Sequence, residues 1–225
     1  MKKINIAIDG PSGAGKSSLA KAVAKKLGII YVDTGALYRS IGLYALNNRI
    51  SLESIASVIE LLPEIKLDLT YENDTQKVIL NGNDVSGFIR TPEISMYASA
   101  VSAIPEVRAF LLSTQRDIAK AHSVIMDGRD IATVVLPKAD VKIFLTADPK
   151  KRAERRFEEI KDKNPDLTLE EVYNDMVIRD RNDSTRTVAP AVKAEDAILL
   201  DNTLLSAEET IETALKIICE KGELN

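Results

Sequence analysis

The sequence predicts a doubly wound α/β fold, a parallel sheet covered by helices on both faces, with a small antiparallel β insert and a helical, arginine-rich segment added to it. Three observations carry this expectation. The apolar run Ile4–Asp9 leads through a glycine-rich turn directly into a helical pattern. Short apolar strand patterns then alternate with helical stretches along most of the chain. Between roughly Ile65 and Ile89 the period changes to short alternating runs split by Asn73-Asp74 and by Asn81-Gly82-Asn83-Asp84, which reads as an antiparallel meander.

Each element has a local reason. Ile4–Asp9 is a buried strand, and Ser17–Leu27 a helix whose Leu19, Ala20, Val23, Ala24 and Leu27 recur at helical spacing before Gly28 stops it. Ile29–Val32 is a second strand, after which Asp33-Thr34-Gly35 turns the chain into a helix from Ala36 to about Asn47. The meander comprises Lys66–Thr70, Gln76–Leu80 and Val85–Ile89. Ser123–Met126, Val141–Thr146 and Ala197–Leu200 complete the parallel strands. Asp148-Pro149 places a cap and a first-turn proline ahead of a basic helix, Lys150–Ile160, and the loop Lys163-Asn164-Pro165-Asp166 leads to another helix from about Leu169. The last helix, Ala207–Cys219, carries Ile211, Ala214, Leu215 and Ile218 at core spacing.

Composition narrows the function. With 225 residues, 45% hydrophobic and 28% charged, the chain suits one α/β core with an insertion rather than a disordered or fibrous protein. A net charge of −4 argues against a nucleic-acid partner, which calls for a basic surface. Basic residues are nevertheless dense locally, at five of the seven positions from Lys150 to Arg156 and again at Arg179, Arg181 and Arg186, as a small, highly charged ligand would require. Cys219 is the sole cysteine, so an intrachain disulfide is excluded, and a cytoplasmic location is expected. The start resembles no signal peptide and no stretch is long enough to span a membrane.

The chemistry begins at Gly10-Pro11-Ser12-Gly13-Ala14-Gly15-Lys16-Ser17, which spells G-x-x-x-x-G-K-S/T between a strand and a helix. In this P-loop motif the glycines let successive backbone N–H groups turn inward on a polyphosphate, Lys16 adds a charge and Ser17 a hydroxyl for Mg²⁺. The expected ligand is a nucleoside triphosphate. Asp127 ends a strand and is followed by Gly128-Arg129-Asp130. A carboxylate there faces the P-loop as a candidate Mg²⁺ group, although the same Asp-Gly pair also makes an ordinary turn. Arg129 would grip a second phosphate as a bidentate fork. Arg152, Arg155 and Arg156 share one helical face, which is either a phosphate-facing surface or a solvated one paired with Glu159. Arg179, Asp183 and Arg186 fall at i, i+4 and i+7, again on one helical face, with Arg181 alongside. Two such faces on consecutive helices favour a closing lid, because arginines on a mobile segment couple water exclusion to phosphoryl transfer. His122, the only histidine, is read as surface.

Taken together, G-P-S-G-A-G-K-S-S, D-T-G-A-L-Y-R at Asp33–Arg39, D-G-R-D at Asp127–Asp130, K-I-F-L-T-A at Lys142–Ala147 and R-D-R-N-D-S-T-R at Arg179–Arg186 resemble the bacterial cytidylate kinases from end to end. The resemblance implies a single P-loop kinase domain over 1–225, with a monophosphate-binding region at about 36–105 containing the insert 63–92, and a lid at about 149–190. It implies ATP as phosphoryl donor, Mg²⁺ as cofactor, CMP and dCMP as acceptors, and a monomeric protein with no nucleic-acid or membrane partner. By position, Gly10 to Ser18 would form the ATP loop, with Ser17 or Ser18 approaching the metal together with Asp127. Arg39, Arg129 and Arg186 would hold the acceptor phosphate, with Thr34 and Tyr38 also in the substrate site. Ser99, Arg108 and Asp130 would read cytosine, Arg179 and Asp183 the sugar, and Arg155 would act on ATP from the lid. Lys16, Arg129, Arg155, Arg179 and Arg186 are the expected catalytic set. The competing readings are another acceptor, such as UMP, and a nucleotide-driven switch; the D-T-G-A-L-Y-R segment and the insert speak against the former, and the lack of an N-K-x-D motif against a guanine-nucleotide switch.

Overall fold

In chain order the computed structural model contains β1 (Asn5–Asp9), α1 (Lys16–Leu27), β2 (Ile30–Asp33) and α2 (Thr34–Asn47). Short 3₁₀ turns around α3 (Val58–Leu61) lead into β3 (Leu67–Glu72), β4 (Thr75–Leu80) and β5 (Asn83–Asp84). Next come α4 (Pro92–Val101), α5 (Pro105–Ala121), β6 (Val124–Asp127) and a single π-helical turn, Ile131–Val135. The chain then runs through β7 (Val141–Thr146), α6 (Pro149–Ile160), α7 (Leu169–Thr185), β8 (Ile198–Asp201) and α8 (Ala207–Gly222). Residues 3–72, 75–163 and 165–222 are described, so the expected turn at Asn73-Asp74 and position Asn164 of the expected loop lie outside them.

Five parallel strands form the main sheet in the order β2-β6-β1-β7-β8. Alternation along β1 explains its two covered faces. Ile6 and Ile8 point to one side, where they pack with Val23 of α1 and Ile218 of α8, and Ala7 points to the other, with Met126, Ile131 and Val135. The winding reverses at β1, so the loop that follows it opens into the crevice where ligands of such sheets bind. Register sets the same end of three strands side by side. Ile8 pairs with Asp127, and Asp33 also pairs with Asp127, so three carboxylates, Asp9, Asp33 and Asp127, end neighbouring strands.

The separate sheet β3-β4-β5 is antiparallel, and Asn81 and Gly82, both at positive φ, make the two-residue hairpin that joins β4 to β5. The expected strand Val85–Ile89 does not form. The third strand is only Asn83–Asp84, because the Asp84 carboxylate accepts from the Ser86 N–H at 3.0 Å and the Phe88 N–H bonds to the Val85 carbonyl, turning the chain away. Val85 and Ile89 are apolar because they are buried in a loop, packed with Leu37 and Ile41 of α2. Helix α2 starts at Thr34 rather than Ala36, since Asp33 itself is the cap and accepts from the Ala36 N–H at 2.9 Å. The Asp148 cap is as expected, accepting from Lys150 and Lys151. Helices α6 and α7 enclose a small apolar cluster of their own, in which Ala153, Val172 and Met176 pack with Phe157 and Tyr173.

Burial gives a direct test of this layering. Leu145→Ala, at a fully buried site of β7, is expected to destabilise the protein by about 2–5 kcal/mol in urea titrations, whereas Leu199→Ala, on the exposed side of β8, should change stability by less than about 0.5 kcal/mol.

Candidate active site

The P-loop is held in a shape that only glycine permits. A Cβ on Gly10, at φ +146°, would lie 1.9 Å from the Leu145 carbonyl oxygen, and one on Gly13, at φ +68°, would lie 2.6 Å from Met176 Cε of α7. Lys16 opens α1 and its ammonium donates to the Pro11 carbonyl at 2.6 Å across the loop. The Ser17 hydroxyl donates to Asp127 Oδ2 at 2.8 Å, while the Tyr31 hydroxyl donates to Oδ1 at 2.9 Å and the Thr34 hydroxyl to the Asp127 carbonyl at 2.8 Å. Ser17, not the exposed Ser18, therefore faces the carboxylate.

Facing the loop is a dense network of arginines and carboxylates. Arg129 bridges its two halves, with Nη2 donating to the Ser12 hydroxyl at 3.0 Å and Nε to Asp183 Oδ2 at 2.9 Å. Deeper, the buried Asp130 carboxylate accepts from Arg108, which also donates to the Ser102 carbonyl at 3.1 Å and stacks 5.7 Å from the Tyr38 ring centre. Arg186 lies 3.7 Å from Asp130 and donates to the Ser102 hydroxyl at 2.8 Å. It does so from the cap after α7, in extended conformation, not from the helical face that the i+7 spacing suggested. The Ser99 hydroxyl donates to Asp183 at 3.3 Å. Arg39 pairs with Asp33 at 2.8 Å, and the buried Nε atoms of Arg39 and Arg179 have no hydrogen-bond partner.

The basic helix divides its arginines among different tasks. Arg152 is buried and donates to the Ser12 carbonyl at 2.6 Å and to Asp180 Oδ2 at 2.5 Å, while Asp180 Oδ1 accepts the Ser12 N–H at 2.8 Å. Arg155 donates to the Asn202 side chain and carbonyl, at 3.0 and 2.8 Å, and Asn202 donates in turn to the Ala14 carbonyl. Arg156 pairs with Glu159 at 3.0 Å, the solvated alternative for that face. The sequence reading missed Asp180, Asn202, Arg90 and Asp9 as site residues. Asp180 stands inside the quoted R-D-R-N-D-S-T-R segment, one helical turn before Asp183, and that spacing was its available signal. His122 is exposed, as expected.

Electrostatics identify the kind of ligand. Burial, then the nearby Arg129 charge, holds the Lys16 ammonium well below its ordinary pKa, and the same two causes bring Arg179 down to about 10. Cations forced to depress one another mark a place that favours an anion. Burial, then Asp33, raises the Asp127 carboxyl, a group that gains from a cation beside it. Its carboxylate and the Ser17 hydroxyl set two oxygen donors side by side next to the P-loop, and no group of three or more acidic, His or Cys side chains able to hold a metal occurs among the described residues.

A P-loop on the crevice of a doubly wound sheet, faced by arginines and carboxylates, defines the class as a P-loop kinase. The fold is shared with a gluconokinase from Sinorhizobium meliloti at a TM-score of 0.50 and 14% identity, over 98% of this chain and 95% of that one. The sequence profile of the cytidylate kinases matches residues 6–220. A cytidylate kinase of Caldicellulosiruptor saccharolyticus is 50% identical over 217 residues, 96% of each chain. One from Thermosipho melanesiensis is 49% identical over 97% of this chain and 98% of its own. The chain belongs to the cytidylate kinase family and is a nucleoside monophosphate kinase.

Asp9 gives the site a pH-dependent foundation. Its carboxylate accepts from the Ile131 and Ala132 N–H groups at 2.9 and 2.8 Å, fixing the turn after Asp130, yet burial raises its pKa from 3.8 to about 6. The folded protein therefore binds the proton more tightly than the unfolded chain, and the Asp9 contribution to stability falls as pH rises from 3.8 through 6. The stability advantage of the wild type over Asp9→Ala should be larger at pH 5 than at pH 7.5 by roughly 1 kcal/mol in urea titrations.

Proposed function

We infer that this chain transfers the γ-phosphoryl group of ATP to CMP, yielding ADP and CDP, and that it also accepts dCMP. The observation that carries this is Arg129, which touches the P-loop through Ser12 and the acceptor network through Asp183, at the junction where donor and acceptor anions would meet. Gly10, Pro11, Ser12, Gly13, Ala14, Gly15, Lys16, Ser17 and Ser18 would wrap the triphosphate, with Lys16 neutralising the transferred group. Ser17 and Asp127 would hold Mg²⁺, which when bound supplies positive charge to the phosphates. Arg39, Arg129 and Arg186 would hold the acceptor phosphate, beside Thr34 and Tyr38, and Arg179 and Asp183 the sugar. Arg155 would act on ATP through its attachment near the P-loop.

Base selection follows from hydrogen-bond polarity. Cytosine offers an amino donor and two acceptors, so Asp130 would accept from the amine while Ser99 and Arg108 donate. Uracil presents a carbonyl where the amine stood, which sets oxygen against a buried carboxylate. The region around 36–105, with its insert at 63–92, would bind the monophosphate, and residues from about 149 to 190 would act as a lid within one domain. Every role is filled by one chain, which favours a monomer. The exposed, unpaired Cys219 suits a cytoplasmic protein. Among the described residues no helix is long and apolar enough to cross a membrane.

An assay of ADP formation over a panel of monophosphates tests the reading, with turnover expected on CMP and dCMP and little without an acceptor; failure to phosphorylate either cytosine nucleotide would refute it. Asp130→Ala should lower kcat/KM for CMP by about 10–100-fold and narrow the CMP-to-UMP preference, leaving the KM for ATP nearly unchanged. An equal loss for CMP and UMP would remove Asp130 from base selection. Lys16→Ala should reduce kcat by on the order of 100-fold or more without altering the urea midpoint.

A further inference from the structure

The inserted sheet reaches the polar site through Asp33. Gln76 of β4 grips the Asp33 backbone twice, its Oε1 accepting the N–H at 2.8 Å and its Nε2 donating to the carbonyl at 3.3 Å. Arg90, in the segment that joins the insert to α4, donates to Asp33 Oδ2 at 2.7 Å. Arg39 of α2 donates to both oxygens of the same carboxylate, at 3.0 and 2.8 Å. Two guanidinium groups thus share one buried anion. They differ in exposure, with the Arg90 side chain 53% accessible and that of Arg39 14%. A cavity of about 180 Å³, lined by Lys21, Tyr31, Gln76, Val78, Ile89 and Arg90, lies beside the contact.

Asp33 itself cannot move far. It caps α2 through the Ala36 N–H, ends a strand paired with β6, and is held by Gln76. If Arg39 turns from Asp33 to the phosphate of an acceptor, a carboxylate buried without a counter-charge would be left behind unless another cation stays. Arg90 already stands there, and the unpartnered Nε of Arg39 leaves that guanidinium with a donor free for a ligand. We propose that Arg90 is a positioning residue: it remains as the counter-charge of Asp33 and so releases Arg39 toward the acceptor phosphate, with Gln76 keeping the insert in register with α2. The inserted sheet thereby acts on the affinity for the phosphate rather than for the base. This rests on the reading that Arg39 holds that phosphate.

The test compares Arg90→Gln, Arg90→Met and Arg90→Lys with Arg39→Ala. Readouts are the KM for CMP, the KM for ATP, and the inhibition constant of cytidine, which has the base and sugar but no phosphate. Both uncharged variants should raise the KM for CMP about tenfold while cytidine inhibition and the KM for ATP stay within about twofold, and Arg90→Lys should recover most of the loss. In an Arg39→Ala background the Arg90→Gln change should add nothing, because its effect passes through Arg39. The proposal is overturned if the uncharged variants leave the KM for CMP unchanged while Arg39→Ala raises it. It is equally overturned if cytidine inhibition weakens in parallel, or if the two losses add, since a merely structural tie would behave so. Should Arg39→Ala itself bind CMP normally, the phosphate role of Arg39 falls first, and the proposal with it.

Discussion

Burial of three carboxylates at one end of a parallel sheet is the constraint on which the site depends. The apolar residues of β1, β2 and β6 fix the register, and register places Asp9, Asp33 and Asp127 at neighbouring strand ends. A charge in such a place is costly unless partnered, so each carboxylate gathers donors around itself. Asp9 takes two backbone N–H groups and shapes the turn that presents Arg129 and Asp130. Asp33 takes a helix cap and two arginines, and Asp127 takes Ser17 and Tyr31. The architecture of the fold and the placement of the polar groups are therefore one problem, solved by the sheet.

The second layer of the network consists of arginines held by carboxylates, and its value is organisational. Buried ion pairs of this kind gain little net stability, because desolvation offsets attraction. Arg108 with Asp130 and Arg129 with Asp183 instead keep guanidinium groups extended and oriented in a confined space. Burial pushes the Asp183 carboxyl up, but the surrounding Arg129, Arg179 and Arg186 more than offset it and hold its pKa below the usual value. An anion entering such a site meets donors already aimed and already stripped of water, which is the condition under which electrostatic stabilisation is strongest.

Features with a local physical cause were legible in the sequence. The P-loop, the helix caps and the buried strands follow from glycine spacing, capping chemistry and apolar runs, and they appear within one or two residues of expectation. The meander was legible as a change of period, yet Val85 and Ile89 imitate a strand because loop burial and strand burial select the same side chains. Arg90 and Asp180 carry no local signal of comparable strength. Their partners Asp33 and Ser12 lie 57 and 168 positions away, so only the folded chain reveals that these are the residues that complete the network. Choosing between Ser17 and Ser18 also required the fold, since only helix phase turns one of them toward Asp127.

The proposed lid has the attachments that a separable unit requires. Its apolar residues, Val172, Met176 and Phe157 among them, are buried mainly against one another, so α6 and α7 carry a small core of their own. Their ties to the P-loop are polar, through Arg152, Asp180 and the loop residue Ser12. Hydrogen bonds to such groups can be exchanged for water or for a phosphate at little net cost, whereas a continuous apolar seam could not. Asp180 occupies a backbone N–H of the very loop whose amides are suited to polyphosphate, so a ligand that took the Ser12 N–H would displace that contact.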